Sequence, residues 1–178
     1  MTRPLRAPLL VALAIAIVPI AAAGWYLGSP LFIRTSANEA FPTAGGEAAS
    51  FPVAYPAGSD APSATVPIGP VTIAGGVLGY VDALHHGTGR VLLVPASEGV
   101  VLRFEDVAMT NAPDVHVYLS RETGGRWTES SSLYLGPLRA TNGSFNYIVP
   151  RDTDVSGYRS VVVWCRQFSV LVTWADLR

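Results

Sequence analysis

The sequence contains no lysine, a single cysteine and few charged residues of either sign. All 12 basic residues are arginine, and the formal net charge at neutral pH is -1. Because no basic patch stands out, the composition argues against a nucleic-acid-binding surface, and no nucleic-acid partner is expected. The single cysteine, Cys165, excludes a disulfide within the chain. Cys165 is then a buried inert thiol, an exposed reactive thiol, the partner in a disulfide with another chain, or a ligand.

Several catalytic motifs are also missing. There is no Gly-x-Ser-x-Gly elbow, no His-Glu-x-x-His motif and no phosphate-binding loop, so the sequence does not predict a hydrolase or another conventional enzyme. The absence of Cys-x-x-Cys-His argues against covalently attached haem. A blue-copper centre is not predicted either, because neither histidine nor methionine follows Cys165, and no metal site is expected.

One long apolar run is present near the N-terminus. Arg6 and Arg34 bound 27 residues that carry no charge. A bilayer core needs about 20 apolar residues, so residues 1–34 are expected to hold a transmembrane helix that anchors the chain in the cell membrane. The arginines that precede the run put the N-terminus in the cytoplasm and the C-terminal part outside. The alternative is a cleaved signal peptide with its cleavage site at residues 21–23.

Residues 35–74 are rich in proline, alanine and glycine and show neither a helical nor a strand period. This composition predicts a linker that, as a flexible coil, would span roughly 35 Å. An alternative is that the aromatic residues Phe41, Phe51 and Tyr55 pack onto the domain and order part of the linker.

Residues 75–178 alternate short apolar runs with turn signals, and no amphipathic helix is predicted. This pattern predicts an all-β domain, an antiparallel sandwich or barrel of about eight strands. Asn142-Gly143 is typical of a hairpin turn, and Ala96–Gly99 and Thr123–Gly125 also resemble turns. The expected strands are 77–83, 89–94, 100–105, 114–120, 133–138, 145–149, 160–165 and 169–174.

Alternation along two of these strands predicts where their side chains point. In residues 114–120, the side chains of Val115, Val117 and Leu119 share the core face. His116 lies on the other face, where it would be solvated beside Tyr118. In residues 160–165, alternation points Cys165 inward and sends Arg166 to the opposite face, because an unpaired arginine is seldom buried.

The residues from Gly79 to Leu177 resemble the DM-thirteen domain, and the anchor-plus-linker layout is similar to that of its bacterial membrane-anchored members. The resemblance is carried by His86-Gly87-Thr88-Gly89, Leu102-Arg103-Phe104-Glu105-Asp106, Thr110–Ser120, Leu135-Gly136-Pro137-Leu138, Gly143, Tyr147, Pro150, Tyr158–Cys165 and Phe168.

This resemblance implies an all-β domain that transfers electrons at the cell surface, with an envelope or cell-surface redox protein as its partner. It implies that Cys165 is a redox thiol or a ligand to a prosthetic group, for which haem is the candidate. His86 and His116 are the expected further ligands if they converge with Cys165 in space. From the residues alone, Cys165 is better explained as a small apolar core residue, and His85 and His86 as a surface pair. A second hypothesis is therefore a non-enzymatic surface module that binds a partner through Trp127, Tyr134 and Trp174.

Overall fold

The computed structural model describes residues 6–29, 33–42, 71–97 and 99–178. One α-helix, α1, runs from Arg6 to Gly28 with Pro19 inside it, and its apolar side chains from Leu13 to Leu27 are exposed. Within the described ranges, no helix is both long enough and apolar enough to cross a membrane. The transmembrane helix expected within residues 1–34 is therefore not confirmed.

The rest of the described chain is mostly β-structure. Its nine strands are β1 (Ser36–Asn38), β2 (Ala74–Val77), β3 (Gly87–Ala96), β4 (Gly99–Met109), β5 (Val115–Ser120), β6 (Ser132–Pro137), β7 (Asn142–Ile148), β8 (Ser160–Cys165) and β9 (Val170–Asp176). They form a five-stranded sheet in the order β1-β7-β4-β3-β2 and a four-stranded sheet in the order β6-β5-β8-β9. All neighbouring pairs are antiparallel except β1 and β7, so the expectation of an antiparallel-rich all-β fold is confirmed.

The two sheets share one hydrophobic core. Phe104 of β4 stacks on Phe145 of β7, with ring centroids 4.9 Å apart, and both are fully buried. The four-stranded sheet contributes alternate residues of β5 and β8 to the same core, because successive side chains of a strand point to opposite faces, and β9 adds Val172 and Ala175. A sheet that gives one face to the core leaves the other face free to carry polar and aromatic groups.

The sheets are also joined along one side by backbone hydrogen bonds between β2 and the end of the chain. Gly75 and Arg178 each donate an N–H to the other's carbonyl at 3.0 Å, and the Gly79 N–H donates to the Trp174 carbonyl at 2.8 Å. These bonds satisfy backbone groups that an open sheet edge would leave unpaired. The fold is thus a sandwich with one closed side.

The first strand lies within residues 35–74, which the sequence analysis predicts to be linker. Ser36, Ala37 and Asn38 pair in parallel with the start of β7. The pairing is reinforced at residue 35, because Thr141 Oγ1 accepts from the Thr35 N–H and donates to the Thr35 carbonyl, each at 3.1 Å. A three-residue strand of polar and small side chains has no recognisable hydrophobic period, so the sequence does not signal it.

The segment after β1 also contacts the domain, through a buried arginine. Arg103 Nη1 donates to the carbonyls of Glu39 and Ala40 at 3.3 and 3.2 Å. The Phe41 ring lies over the same guanidinium, 5.0 Å from its Cζ. Phe41 therefore packs onto the domain as the alternative hypothesis expects, whereas Phe51 and Tyr55 lie outside the described residues.

The hairpin expected at Asn142-Gly143 is wrong. Both residues lie inside β7, and the strands before and after this pair belong to different sheets. Gly143 has a φ of +98°, and a Cβ there would collide with the carbonyl of Ala37 in β1. The glycine is needed for close approach of a neighbouring strand rather than for a turn, and a local sequence signal cannot distinguish the two.

Candidate functional site

Cys165 is the last residue of β8, and its side chain points into the core. It is 0% exposed, and its Sγ donates a hydrogen bond to the Pro113 carbonyl at 2.7 Å. Its register partner is Val115 of β5, which belongs to the same core. The inward direction that strand alternation predicts is confirmed, and the thiol lies under the residues that lead into β5.

His116 lies one residue further along β5 and faces the outside of the same sheet. Its Nδ1 is 2.9 Å from the Tyr134 hydroxyl, and its Nε2 is 2.6 Å from Asp114 Oδ1. Its register partner is Trp164 rather than Cys165. His116 is buried, not solvated as the sequence analysis expects, because Tyr134 of the adjacent strand β6 contacts its ring at 5.5 Å between centroids.

His86 belongs to the other sheet region, immediately before β3. Its ring stacks with Tyr80 at 6.0 Å between centroids, and its Nδ1 is 3.4 Å from the Thr110 hydroxyl. The neighbouring His85 pairs separately with Asp82 at 2.8 Å. Hydrogen bonds from the His85 ring and the Leu84 N–H hold the pKa of the Asp82 carboxyl below its usual value.

The three residues that the sequence singles out are therefore not brought together as a ligand set. Cys165 and His116 lie on opposite faces of one sheet, and His86 precedes a strand of the other sheet. Among the described residues, no group of three or more His, Cys, Asp or Glu side chains could hold a metal ion.

The structure instead brings together aromatic side chains on the outer face of the four-stranded sheet. Tyr134 lies 5.3 Å from Tyr118, Tyr118 lies 4.5 Å from Trp127, and Trp127 lies 5.1 Å from Trp164, all between ring centroids. We call these four residues the aromatic row. Tyr118 and Trp164 come from neighbouring strands, Tyr134 from the edge strand β6, and Trp127 from the connection between β5 and β6.

Arg166 lies across one end of the aromatic row. Its Nε donates to the Tyr118 hydroxyl at 2.7 Å, and its Cζ lies 4.6 Å from the centre of the Tyr134 ring. Donation of this hydrogen bond to the Tyr118 hydroxyl raises the pKa of the Arg166 guanidinium, so it stays charged. Arg166 lies on the face that alternation predicts, and it is exposed and paired there.

No partner of His116 was assigned from the sequence, and the structure gives it two, Asp114 and Tyr134. Asp114 takes a positive φ of 59° just before β5. The signal that could have found it is its spacing of two from His116, which keeps the carboxylate within reach of the imidazole ring. Tyr134 could not be found this way, because its position beside His116 depends on how β6 pairs with β5.

The haem that the resemblance suggests does not fit the surroundings of Cys165. Cavities of about 400, 300 and 620 Å³ in the described part of the chain are lined by residues other than Cys165. The 300 Å³ cavity is lined by His86 and Met109, but the sulfur of Cys165 is fully enclosed by the core elsewhere. No step of electron transfer is therefore assigned to haem.

Comparison with known proteins gives one match. A sequence model of a protein family, described as electron transfer DM13, matches residues 80–177, more than half of the chain. The match begins before β3 and includes every strand from β3 to β9. No curated protein and no solved structure gives a significant match.

Proposed function

The chain belongs to the electron transfer DM13 family, and we propose from this premise that its β-domain passes single electrons between redox partners. The observation that carries the proposal is the family match, which spans both sheets of the sandwich. The buried face of the four-stranded sheet holds the only thiol, and the outer face holds a continuous set of aromatic rings.

The proposed electron transfer does not involve thiol–disulfide exchange at Cys165 in the folded protein. A fully buried sulfur cannot reach a disulfide of another protein, because exchange requires direct attack of a thiolate on sulfur. Any redox role of Cys165 then depends on electron exchange across the protein that surrounds it, and its hydrogen bond to Pro113 fixes the sulfur at one position.

Protein-film voltammetry of the full chain tests the proposal. Wild-type protein is expected to give a faradaic signal, and Cys165→Ser tests whether the sulfur is the redox group. A chain that exchanges no electrons with the electrode or with an outer-sphere oxidant would overturn the proposed function. Addition of haemin is expected to leave the Soret band at the position of free haemin, since Cys165 is enclosed by the core.

The proposed location is the outer side of the cell membrane, where the N-terminal apolar segment attaches the chain and a cell-envelope redox protein is the partner. Support comes from the uncharged run between Arg6 and Arg34 and from the exposed apolar side chains of α1. Protease added to intact cells is expected to digest the β-domain. Complete protection in intact cells, with digestion after lysis, would place the domain inside.

A second candidate function is binding of a protein partner without electron transfer, with Cys165 as a structural residue. The observation that favours it is the exposure of Tyr134, 44%, next to Arg166 and in the same aromatic row as Trp127. Tyrosine, tryptophan and arginine are the residue types that dominate binding energy in protein interfaces. This function predicts a redox-silent chain whose partner binding survives Cys165→Ser and is lost in Trp127→Ala.

A further inference from the structure

We propose that Tyr134 is a redox residue of this domain, which gives an electron to the other rings of the aromatic row while its hydroxyl proton moves to Nδ1 of His116. The inference rests on the proposed electron-transfer function and names the group that is oxidised. It is carried by the juxtaposition of a phenol, an imidazole and a carboxylate with a row of aromatic rings on one sheet face.

The proton side is a continuous hydrogen-bonded series. The Tyr134 hydroxyl lies 2.9 Å from His116 Nδ1, and His116 Nε2 lies 2.6 Å from Asp114 Oδ1. A carboxylate accepts only, so Nε2 must carry the imidazole proton and Nδ1 is left as the acceptor. The phenol O–H then donates to Nδ1, and the proton that oxidation releases already points at a base.

Asp114 stabilises the product of the proton transfer. When Nδ1 takes the proton, His116 becomes a cation in a buried position, which costs free energy unless a negative charge is close by. The Asp114 carboxylate, 2.6 Å from Nε2, supplies that charge. The reactants of this step are the Tyr134 phenol, the neutral His116 imidazole and the oxidant. The products are a neutral phenoxyl radical, an imidazolium ion and the oxidant reduced by one electron.

Arg166 favours loss of the proton together with the electron. Its guanidinium lies over the Tyr134 ring at 4.6 Å from Cζ to the centroid, and a positive charge there opposes formation of a tyrosine radical cation. Release of the proton to His116 leaves a neutral radical, which the guanidinium does not repel. Arg166 is thus a positioning residue that makes oxidation of Tyr134 depend on the histidine.

The electron side is the aromatic row. Ring-to-ring distances of 5.3, 4.5 and 5.1 Å join Tyr134 through Tyr118 and Trp127 to Trp164. These are contact distances for packed aromatic side chains, so the row offers the electron an unbroken series of π-systems. The oxidant is a one-electron, outer-sphere partner such as a high-potential metal centre of another protein, and a second partner returns the electron.

The buried tyrosines Tyr118 and Tyr147 have different hydroxyl partners. The Tyr118 hydroxyl accepts from Arg166 Nε, and a guanidinium cannot take a proton. The Tyr147 hydroxyl donates to the Pro137 carbonyl, which is not a base, and burial raises the pKa of Tyr147. Of these three tyrosines, only Tyr134 has a hydroxyl that is hydrogen-bonded to an imidazole.

The experiment mixes the full chain rapidly with hexachloroiridate(IV), a one-electron outer-sphere oxidant. Oxidant loss is followed optically, and samples frozen during the reaction are measured by electron paramagnetic resonance. Wild-type protein is expected to give a neutral tyrosyl radical signal, and oxidation is expected to slow in deuterium oxide because the proton moves with the electron. Tyr134→Phe is expected to lose that signal.

His116→Gln and Asp114→Asn separate proton acceptance from structure, since both keep hydrogen-bonding side chains. We expect each to slow radical formation by about tenfold or more, the factor that corresponds to one lost charge-assisted hydrogen bond in the product. The solvent isotope effect should disappear in His116→Gln. Circular dichroism checks that each variant folds, and Tyr134→Phe, which changes a partly exposed residue, keeps the test interpretable if His116→Gln does not fold.

Tyr80→Phe is the matched control, because Tyr80 is 65% exposed and more accessible to the oxidant than Tyr134. A signal that survives Tyr134→Phe, or that is lost in Tyr80→Phe, would overturn the inference. Oxidant consumed at the same rate by wild type and Tyr134→Phe would overturn it too, yet would leave the proposed electron-transfer function standing. Consumption no faster than by an equimolar mixture of free tyrosine, tryptophan and cysteine would overturn both.

Discussion

Cys165 and His116 lie on neighbouring strands of one sheet and point to opposite sides of it. Cys165 pairs in register with Val115 and faces the core, and His116 pairs with Trp164 and faces outward. A single prosthetic group therefore cannot take both as ligands without breaking the pairing of β5 and β8. The two residues belong to two different parts of the molecule, an enclosed thiol and an outer hydrogen-bonded series.

The hydrogen bond from Cys165 Sγ to the Pro113 carbonyl predicts a ranking of two substitutions. Cys165→Ala removes the donor and leaves a buried carbonyl unpaired, which costs about 1–3 kcal/mol in the free energy of unfolding. Cys165→Ser keeps a donor and should lose less. Urea unfolding followed by fluorescence measures both, and an alanine variant as stable as the serine variant would show that this bond contributes nothing.

The enclosure of the thiol predicts its reactivity. In native protein a disulfide reagent such as Ellman's reagent is expected to react with Cys165 at a small fraction of its rate in unfolding concentrations of urea, because the sulfur is 0% exposed. Release of thionitrobenzoate measures the reaction. Equal rates in the folded and unfolded chain would contradict the burial of this side chain.

Gly143 and Gly124 provide a matched pair of substitutions at positive φ. Gly143→Ala places a Cβ against the Ala37 carbonyl and is expected to destabilise the fold by more than about 1 kcal/mol, because β1 must move away. Gly124→Ala has the same unfavourable φ sign and open space around it, so it should cost less. The difference in midpoint of urea unfolding between the two variants isolates the contact with β1.

Strand alternation was sufficient to orient β5 and β8, because both strands have one face in a continuous core. The sequence could not give β1, whose three residues pair with a strand more than 100 positions away. It also could not give the burial of His116. That burial depends on Tyr134, a residue of another strand, and not on the pattern of β5 itself.

The contacts of β1 predict that residues 33–42 stabilise the β-domain. A chain that begins at residue 71 lacks the strand that covers β7 and the groups that Arg103 binds at Glu39 and Ala40. It should unfold at lower urea concentration than a chain that begins at residue 33, by roughly 1 kcal/mol for each net hydrogen bond lost. Equal midpoints would show that β1 adds no stability.

Burial of Tyr147 predicts a loss of stability in alkali. Its hydroxyl donates to the Pro137 carbonyl, and desolvation raises its pKa in the folded state. A raised folded pKa gives stability that is fully present below the unfolded value, about 10, and is lost as the pH rises toward the folded value. The free energy of unfolding should fall above pH of about 10, and this fall should be shallower in Tyr147→Phe. The exposed Tyr80 provides the control, since Tyr80→Phe should leave the slope unchanged.

The candidate site shows the same division between local and non-local information. His116 and Cys165 were found from their residue types, and their faces followed from alternation. Asp114 contacts His116 from two residues away, so that contact is local. Tyr134 and Trp127 acquire their chemistry only through β-sheet pairing and through the course of the connection between β5 and β6. From the sequence, both were candidates for a partner-binding surface.

The pairing of β1 with β7 limits how far the domain can stand from the N-terminal helix. Seven residues separate Gly28 at the end of α1 from Ser36 at the start of β1, and even fully extended they reach only about 25 Å. The proline- and alanine-rich residues 43–70 follow β1 in the chain, so their length does not enter this reach. A partner must therefore approach the domain close to wherever α1 is held, and lengthening residues 43–70 would leave that distance unchanged.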